Sequence, residues 1–305
     1  MTVETQEQTE RNDVDEVEVP GQAQAGERQV PGQAQAPGAS QVPGQAQAPG
    51  GERPVETPEQ VEQLLADLEA GTVRAATRDA DGRWSAHAWV KEGILTAFRL
   101  SDTVEMEWPG GAVDRSLVPA RTFGAVDGIR VVPGGTSVRR GAHVARGVVV
   151  MPPSYVNVGA YVGAGTMVDS HVLVGSCAQV GERVHLSAAV QLGGVLEPVG
   201  ARPVVVEDDV FVGAQCGLYE GGVVVRSRAV LAPGVVLTAG TTVYDLVEER
   251  EWQGEVPEGA VVVPGSRPAR GDYADVLGLS LYAPVIVKYR DAGTDAATVL
   301  EGTLR

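Results

Sequence analysis

Two cysteines, two lysines and three phenylalanines in 305 residues are what the chain is most short of. Cys177 and Cys216 form no Cys-x-x-Cys pair, so neither a thiolate zinc site nor a disulfide framework is indicated, and both read as small buried hydrophobes. Aromatic residues make up 5% of a chain that is 43% hydrophobic. Any core is therefore filled by aliphatic side chains and should be narrow. No apolar run reaches the length needed to cross a bilayer. Met1-Thr2-Val3-Glu4 is not a basic stretch leading into an apolar one, so no secretory signal is expected and the cytoplasm is the expected compartment. Positive charge is scarce as well. The formal net charge is −16, and residues 1–62 alone hold twelve acidic and three basic side chains, net −9. That balance argues against nucleic acid or an anionic membrane as partner. No P-loop or dinucleotide glycine motif is present, so neither NTP nor NAD is indicated.

What is present begins with a low-complexity arm over 1–56. Pro-Gly-Gln-Ala-Gln-Ala recurs at 20–25, 31–36 and 43–48, without the aliphatic residues that would offset the entropy of ordering, and it reads as a disordered tail. Thr57-Pro58-Glu59-Gln60 is a capping box with proline at the first helical position. It predicts a helix whose buried face is Val61, Leu64, Leu65 and Leu68 and whose stop is Gly71. A second helix is expected across 86–98, with Trp89, Ile94, Leu95 and Phe98. Residues 57–129 read as a small α-rich domain.

From there a period of six takes over. Val132, Val138, Val144, Val150, Val156, Val162, Val168, Val174, Val180, Leu186 and Leu192 follow at six-residue intervals, and Val206, Val212, Leu218, Val224, Val230 and Val236 resume the count. Helices repeat at 3.6 residues and ordinary strands at 2.0, so six points to a three-sided parallel β-solenoid, one short strand per face and one turn per corner. The slot after the aliphatic residue is Gly163, Gly175, Gly181, Gly193 and Gly213, read as turn positions of unusual φ/ψ. The slot four after it holds only small or β-branched residues from Thr136 to Val190. Leu192 and Val206 are fourteen apart, not twelve, so the segment 193–203 should loop outward, a usual place for binding function. The solenoid is expected over 130–265. Strands are expected at Val261–Val263 and Leu281–Tyr289 and a last helix over 294–304, with 266–305 as the cap.

Within this frame several strings resemble one family. They are Arg130-Val131-Val132-Pro133, Ser154-Tyr155-Val156-Asn157-Val158-Gly159, Gly165-Thr166-Met167-Val168-Asp169, Val184-His185-Leu186-Ser187, Gly193-Gly194-Val195-Leu196-Glu197-Pro198 and Pro284-Val285-Ile286-Val287-Lys288. All are similar to the tetrahydrodipicolinate N-succinyltransferases, and the likeness runs from about 80 to 304. The resemblance implies a left-handed parallel β-helix, a homotrimer with active sites between subunits, and succinyl-CoA as co-substrate with no metal or prosthetic group. It implies that Asp169 is the carboxylate beside the reacting amine and that Arg130 binds a substrate carboxylate, a task suited to a guanidinium fork. His171 would line the site. Glu220 is the candidate second acid, but a better-known branch of the family carries a further acid at the place of Gly217, so a two-carboxylate scheme does not transfer whole. Gly194, Ala214 and Ala232 are candidate points of close approach for the pantetheine arm. Arg226, Arg228, Arg267 and Arg270 are candidate phosphate contacts. His185 lines the groove or packs at a corner, and His87 and His143 have no functional context. Three other readings stand beside this one: an acetyl-CoA-dependent relative, a zinc enzyme with histidines converging between subunits, and a non-catalytic trimeric scaffold.

Overall fold

The structure, a computed structural model, describes residues 54–108, 110–291 and 293. The repeats at 20–48 and the helix expected over 294–304 lie outside the described residues.

From Arg130 onward the chain winds through three stacks of two-residue strands. The first face carries Arg130–Val131, Val149–Val150, Met167–Val168, His185–Leu186, Phe211–Val212 and Val230–Leu231. The second carries Ser137–Val138, Tyr155–Val156, Leu173–Val174, Gln191–Leu192, Gly217–Leu218 and Val236–Leu237. The third carries His143–Val144, Tyr161–Val162, Gln179–Val180, Val205–Val206, Val224–Val225 and Glu255–Val256. Along each face neighbours pair in parallel, as Val150 with Val168 and Val168 with Leu186. The second residue of nearly every strand points inward and joins one continuous aliphatic core. The slot four after it is buried too, at Ala142, Val148, Ala160, Val172, Ala178, Val184 and Val190. Each coil therefore buries both its strands and its corners, and the low aromatic content follows from how little room that leaves.

The count of six needs correction at three places. Val131, not Val132, pairs with Val150. An extra residue in the first corner is absorbed at Gly134 and Gly135, with φ of 145° and 94°. The same happens after Leu218: Val225, Leu231 and Leu237 pair with Val206, Val212 and Leu218. The inward residues are thus Val225, Leu231 and Leu237, each 0% exposed, while Val236 is 38% exposed. Between Leu192 and Val206 the chain passes directly from the second face to the third. The fourteen residues replace an ordinary six, so this corner carries an outward insertion larger than the sequence suggested.

The glycine slot is also corrected. Gly163, Gly175, Gly181, Gly193 and Gly213 are absent from the positive-φ residues. Glycine is needed there for space: a Cβ on Gly175 would sit 2.2 Å from the Gly194 nitrogen, and one on Gly163 would sit 2.5 Å from Gly181. The left-handed conformation belongs two residues later, at Gly141, Gly147, Gly159 and Gly165 and then at His171, Cys177, Arg183 and Ala189.

Helix α1 spans Pro58–Ala70, capped by Thr57 and Gln60 as expected and ended by Gly71 at φ 76°. Helix α2 spans Ala88–Leu100. It starts two residues later than the sequence implied because Trp84–Ala86 pairs antiparallel with Ala76–Arg78. A second antiparallel ribbon joins Thr103–Met106 to Ala112–Arg115, so this domain mixes helices with ribbons. Val55, placed in the tail by composition, packs on the α1–α2 core. The domain lies against the third face. The Arg74 guanidinium sits 3.7 Å from the Tyr161 ring centre and donates to Gln179 Oε1 at 2.9 Å; Val158 and Cys177 of the solenoid complete the helical core.

Ala260–Pro268 and Ser280–Tyr289 close the far end as an antiparallel hairpin that extends the first face. Asp245, 3% exposed, anchors it by accepting from the Tyr289 hydroxyl at 2.6 Å and from the Val247 and Glu248 amides.

Candidate active site

Counting around the corrected coils sorts the candidate residues by corner. Asp169 and His171 occupy the turn between the first and second faces. Ala214 and Ala232 occupy the same corner two and three coils further on, after Val212 and Leu231. Gly194 and Glu220 belong to the corner between the second and third faces, after Leu192 and Leu218. Arg226 and Arg228 belong to the remaining corner, after Val225. Arg130 is exposed at the start of the first face, while Arg267 lies on the closing hairpin and Arg270 just past its first strand.

The Asp169 turn is held from both sides. Its amide donates to the Leu186 carbonyl at 2.9 Å, and its carbonyl accepts from the Ser154 hydroxyl at 2.8 Å. The same hydroxyl accepts from the Val172 amide at 3.2 Å. The His171 amide donates to the Pro153 carbonyl at 2.6 Å, and its carbonyl accepts from Gln191 Nε2 at 2.9 Å. One carboxylate oxygen, Oδ1, accepts from the Ser170 amide at 2.7 Å. Oδ1 still has acceptor capacity and, among the described residues, Oδ2 accepts no hydrogen bond, so a half-buried carboxylate with one fixed oxygen can orient an amine and take its proton. Its slot is the one filled by glycine elsewhere, where successive coils nearly touch. On this corner Met151, Asp169 and Ser187 all carry side chains there, while the hydrogen bonds between coils stay at 2.8–3.0 Å. Gly213 ends that run, since a Cβ on it would meet the Pro233 nitrogen at 2.6 Å.

Glu220 is exposed and holds a left-handed φ of 62° in the seven-residue corner. Gly217 offers no side chain of its own, and the exposed Tyr219 ring lies over it, 2.2 Å from where a Cβ would stand. Asp169 and Glu220 therefore stand on different edges of one chain, two coils apart, or about 10 Å along the axis at the usual strand spacing. Arg226 is committed within the fold. It donates to Glu255 at 2.8 Å, to Glu207 at 3.0 Å and to the Gly82 carbonyl at 2.7 Å. The carbonyl of Arg228 accepts from Arg290 at 3.2 Å. His143 stacks on Tyr161 and His185 on Phe211, with ring centres 4.5 and 4.8 Å apart, which leaves His171 as the histidine on the Asp169 corner.

Sequence reasoning missed Lys91 and Arg202. Lys91 is wholly buried and donates from Nζ to the Ala201 carbonyl at 2.5 Å. Burial pushes its ammonium pKa down. The available signal was its place between Val90 and Ile94 on the apolar stripe of α2. Arg202 donates to the Gly222 carbonyl.

A triangular parallel solenoid with a carboxylate set into one stacked corner defines the hexapeptide-repeat transferases as the class. Residues 203–239 match the family model described as hexapeptide repeat of succinyl-transferase, and residues 46–100 match the tetrahydrodipicolinate N-succinyltransferase N-terminal model. A 2,3,4,5-tetrahydropyridine-2,6-dicarboxylate N-succinyltransferase of Paracidovorax citrulli is 45% identical over 258 residues, covering 83% of this chain and 91% of that protein. Its namesake from Albidiferax ferrireducens is 43% identical over 260 residues with the same coverage of both chains. The one from Nitrobacter winogradskyi is 46% identical over 257 residues, covering 82% of this chain and 90% of that protein. The chain belongs to the tetrahydrodipicolinate N-succinyltransferase family.

Proposed function

We propose that this protein transfers the succinyl group of succinyl-CoA to the amine of tetrahydrodipicolinate, in its open-chain 2-amino-6-oxopimelate form, within diaminopimelate and lysine biosynthesis in the cytoplasm. The observation that carries this reading is identity of about 45% with N-succinyltransferases across more than four-fifths of the chain. The amine attacks the thioester carbonyl directly. As the C–N bond forms, the ammonium proton becomes acidic and passes to the free oxygen of Asp169. The tetrahedral oxyanion then collapses and expels the CoA thiolate, which takes the proton held by Asp169 and so restores the carboxylate. A carboxylate is too weak a base to deprotonate a free alkylammonium beforehand, so Asp169 acts during attack and not before it.

The working unit is a homotrimer of left-handed β-helices. Within one chain Asp169 and Glu220 occupy different corners; a seam between two subunits sets one corner against another and supplies both acids to one cleft. The closing hairpin supports association. Tyr273, Val276, Leu279, Leu281 and Tyr282 are all exposed on it or in the segment at its tip, and clustered exposed apolar side chains of this kind mark interaction surfaces. Arg130 binds a carboxylate of the acceptor and His171 lines its pocket. Gly194, Ala214 and Ala232 border the pantetheine arm. Arg226 and Arg228 are the candidate phosphate contacts, and Arg226 would first have to leave the carboxylates of Glu255 and Glu207.

The deciding experiment is a steady-state assay of tetrahydrodipicolinate with succinyl-CoA and with acetyl-CoA, on the parent and on Asp169→Asn. Succinyl-CoA should be preferred at least tenfold, and the variant should be nearly inactive. A tenfold preference for acetyl-CoA overturns the donor, and a variant within a few-fold of the parent overturns the role of Asp169.

A further inference from the structure

Burying an ammonium group is costly unless it is well paired, and Lys91 is 0% exposed. Among the described residues it forms no ion pair. Its one hydrogen bond goes to the carbonyl of Ala201. An apolar side chain would fill the same space on α2 at less cost, so the bond itself is what lysine adds. That bond spans two parts of the molecule, because Ala201 lies on the returning limb of the insertion at 193–203. The next residue, Arg202, reaches the opposite way and donates to the carbonyl of Gly222. Adjacent residues thus tie the helical domain to the turn that carries Glu220.

The turn rests on the same limb. A Cβ on Gly221 would lie 2.6 Å from the Arg202 carbonyl oxygen and 3.5 Å from Val195. The outgoing limb is fixed separately: the Val195 amide donates to the Ser176 carbonyl at 3.0 Å, and Leu196 packs on the α1–α2 core. The ends of the Glu220 corner are locked as in other turns, by the Tyr219 amide on the Leu237 carbonyl at 2.8 Å and by the Val205 amide on the Val223 carbonyl at 3.0 Å, so these ties act on the middle of the turn, where the seventh residue is inserted.

We infer that Lys91, acting through Ala201 and Arg202, is a positioning residue that sets where Glu220 stands for succinyl transfer. This rests on the reading of Glu220 as an acid at the active site. The role is distinct from holding the fold together, and the two separate experimentally.

The test measures kcat and KM for both substrates in the full-length parent, Lys91→Met, Arg202→Met and Glu220→Gln, and in the doubles that add each of the first two to Glu220→Gln. Lys91→Met and Arg202→Met should each lower kcat about tenfold and leave both KM values within twofold. Neither should lower kcat further once Glu220 is glutamine. Arg202→Met, half-exposed and outside the helical domain, carries the test if Lys91→Met folds poorly. A kcat within twofold of the parent in Arg202→Met or in folded Lys91→Met overturns the inference, whatever happens to thermal stability. Equal losses with and without the Glu220 carboxylate also overturn it, because the residues would then act elsewhere. Glu220→Gln as active as the parent removes Glu220 from the reaction and sinks the underlying reading, a result distinct from the other two.

Discussion

The two acidic corners are built on opposite plans. The Asp169 turn sits inside the regular stack, with hydrogen bonds from the coil below through Ser154 and Pro153 and from the coil above through Leu186 and Gln191. Its position is set by repetition alone, and every neighbouring coil repeats the measurement. The Glu220 turn has one residue too many and a left-handed φ at a glutamate, and it leans on an insertion that another domain holds. A site assembled from both corners would therefore combine one acid fixed by the lattice with one fixed by long-range bracing, and the second should be the easier to disturb.

The largest effect expected along this contrast is at Asp169. Its replacement by asparagine keeps the turn and removes the proposed proton acceptor, so kcat should fall by about a hundredfold or more, read by thiol release from succinyl-CoA, with the oligomeric state unchanged. Glu220→Gln should cost about tenfold. Losses of equal size would erase the distinction between the corners. Deleting Gly222 restores the ordinary spacing of six; the solenoid and its circular dichroism should survive while kcat drops to the level of Glu220→Gln. A variant that instead unfolds would show that the extra residue serves the coil and not the acid.

A smaller effect concerns the thiols. Burial holds the Cys177 thiol up at about 12 and the Cys216 thiol at about 11. Because both folded values are raised, their stabilising contribution is complete below the unfolded thiol value of about 8.5. It is lost as pH climbs through 11 and then 12. At pH 9 neither cysteine should react with iodoacetamide in native protein, and both should react in urea. The smallest expected effect is none at all: removing residues 1–53 should leave kcat and KM unchanged, whereas removing 1–56 also takes Val55 from its place beside Gly93 and should lower the melting temperature.

How much of this the sequence discloses depends on distance along the chain. The α1 cap is written within four residues, and the structure reproduces it. The faces and the inward aliphatic residues are written at intervals of six and emerge as read until a corner gains a residue. Nothing local marks the shift after Leu218, since Val223, Val224 and Val225 are all aliphatic and all buried. Only pairing with the coil below selects Val225 as the partner of Val206. Asp169 is singled out as a candidate by its string, and its place on one corner with Ala214 and Ala232 follows by counting coils once the phase is right. Lys91 was passed over because its partner lies 110 residues away, beyond the reach of any periodicity.

The concealment of Lys91 has a practical corollary. The chain has two lysines, and the other, Lys288, keeps 48% of its side chain exposed and only a loose contact with Asp291 at 3.4 Å. Among the described residues, an amine-seeking label or cross-linker therefore meets one accessible lysine per copy, on the strand that closes the solenoid, and the chain's α-amine is the other group to block. Coupling confined to that lysine would orient every molecule alike, away from the Asp169 and Glu220 turns in sequence and in element.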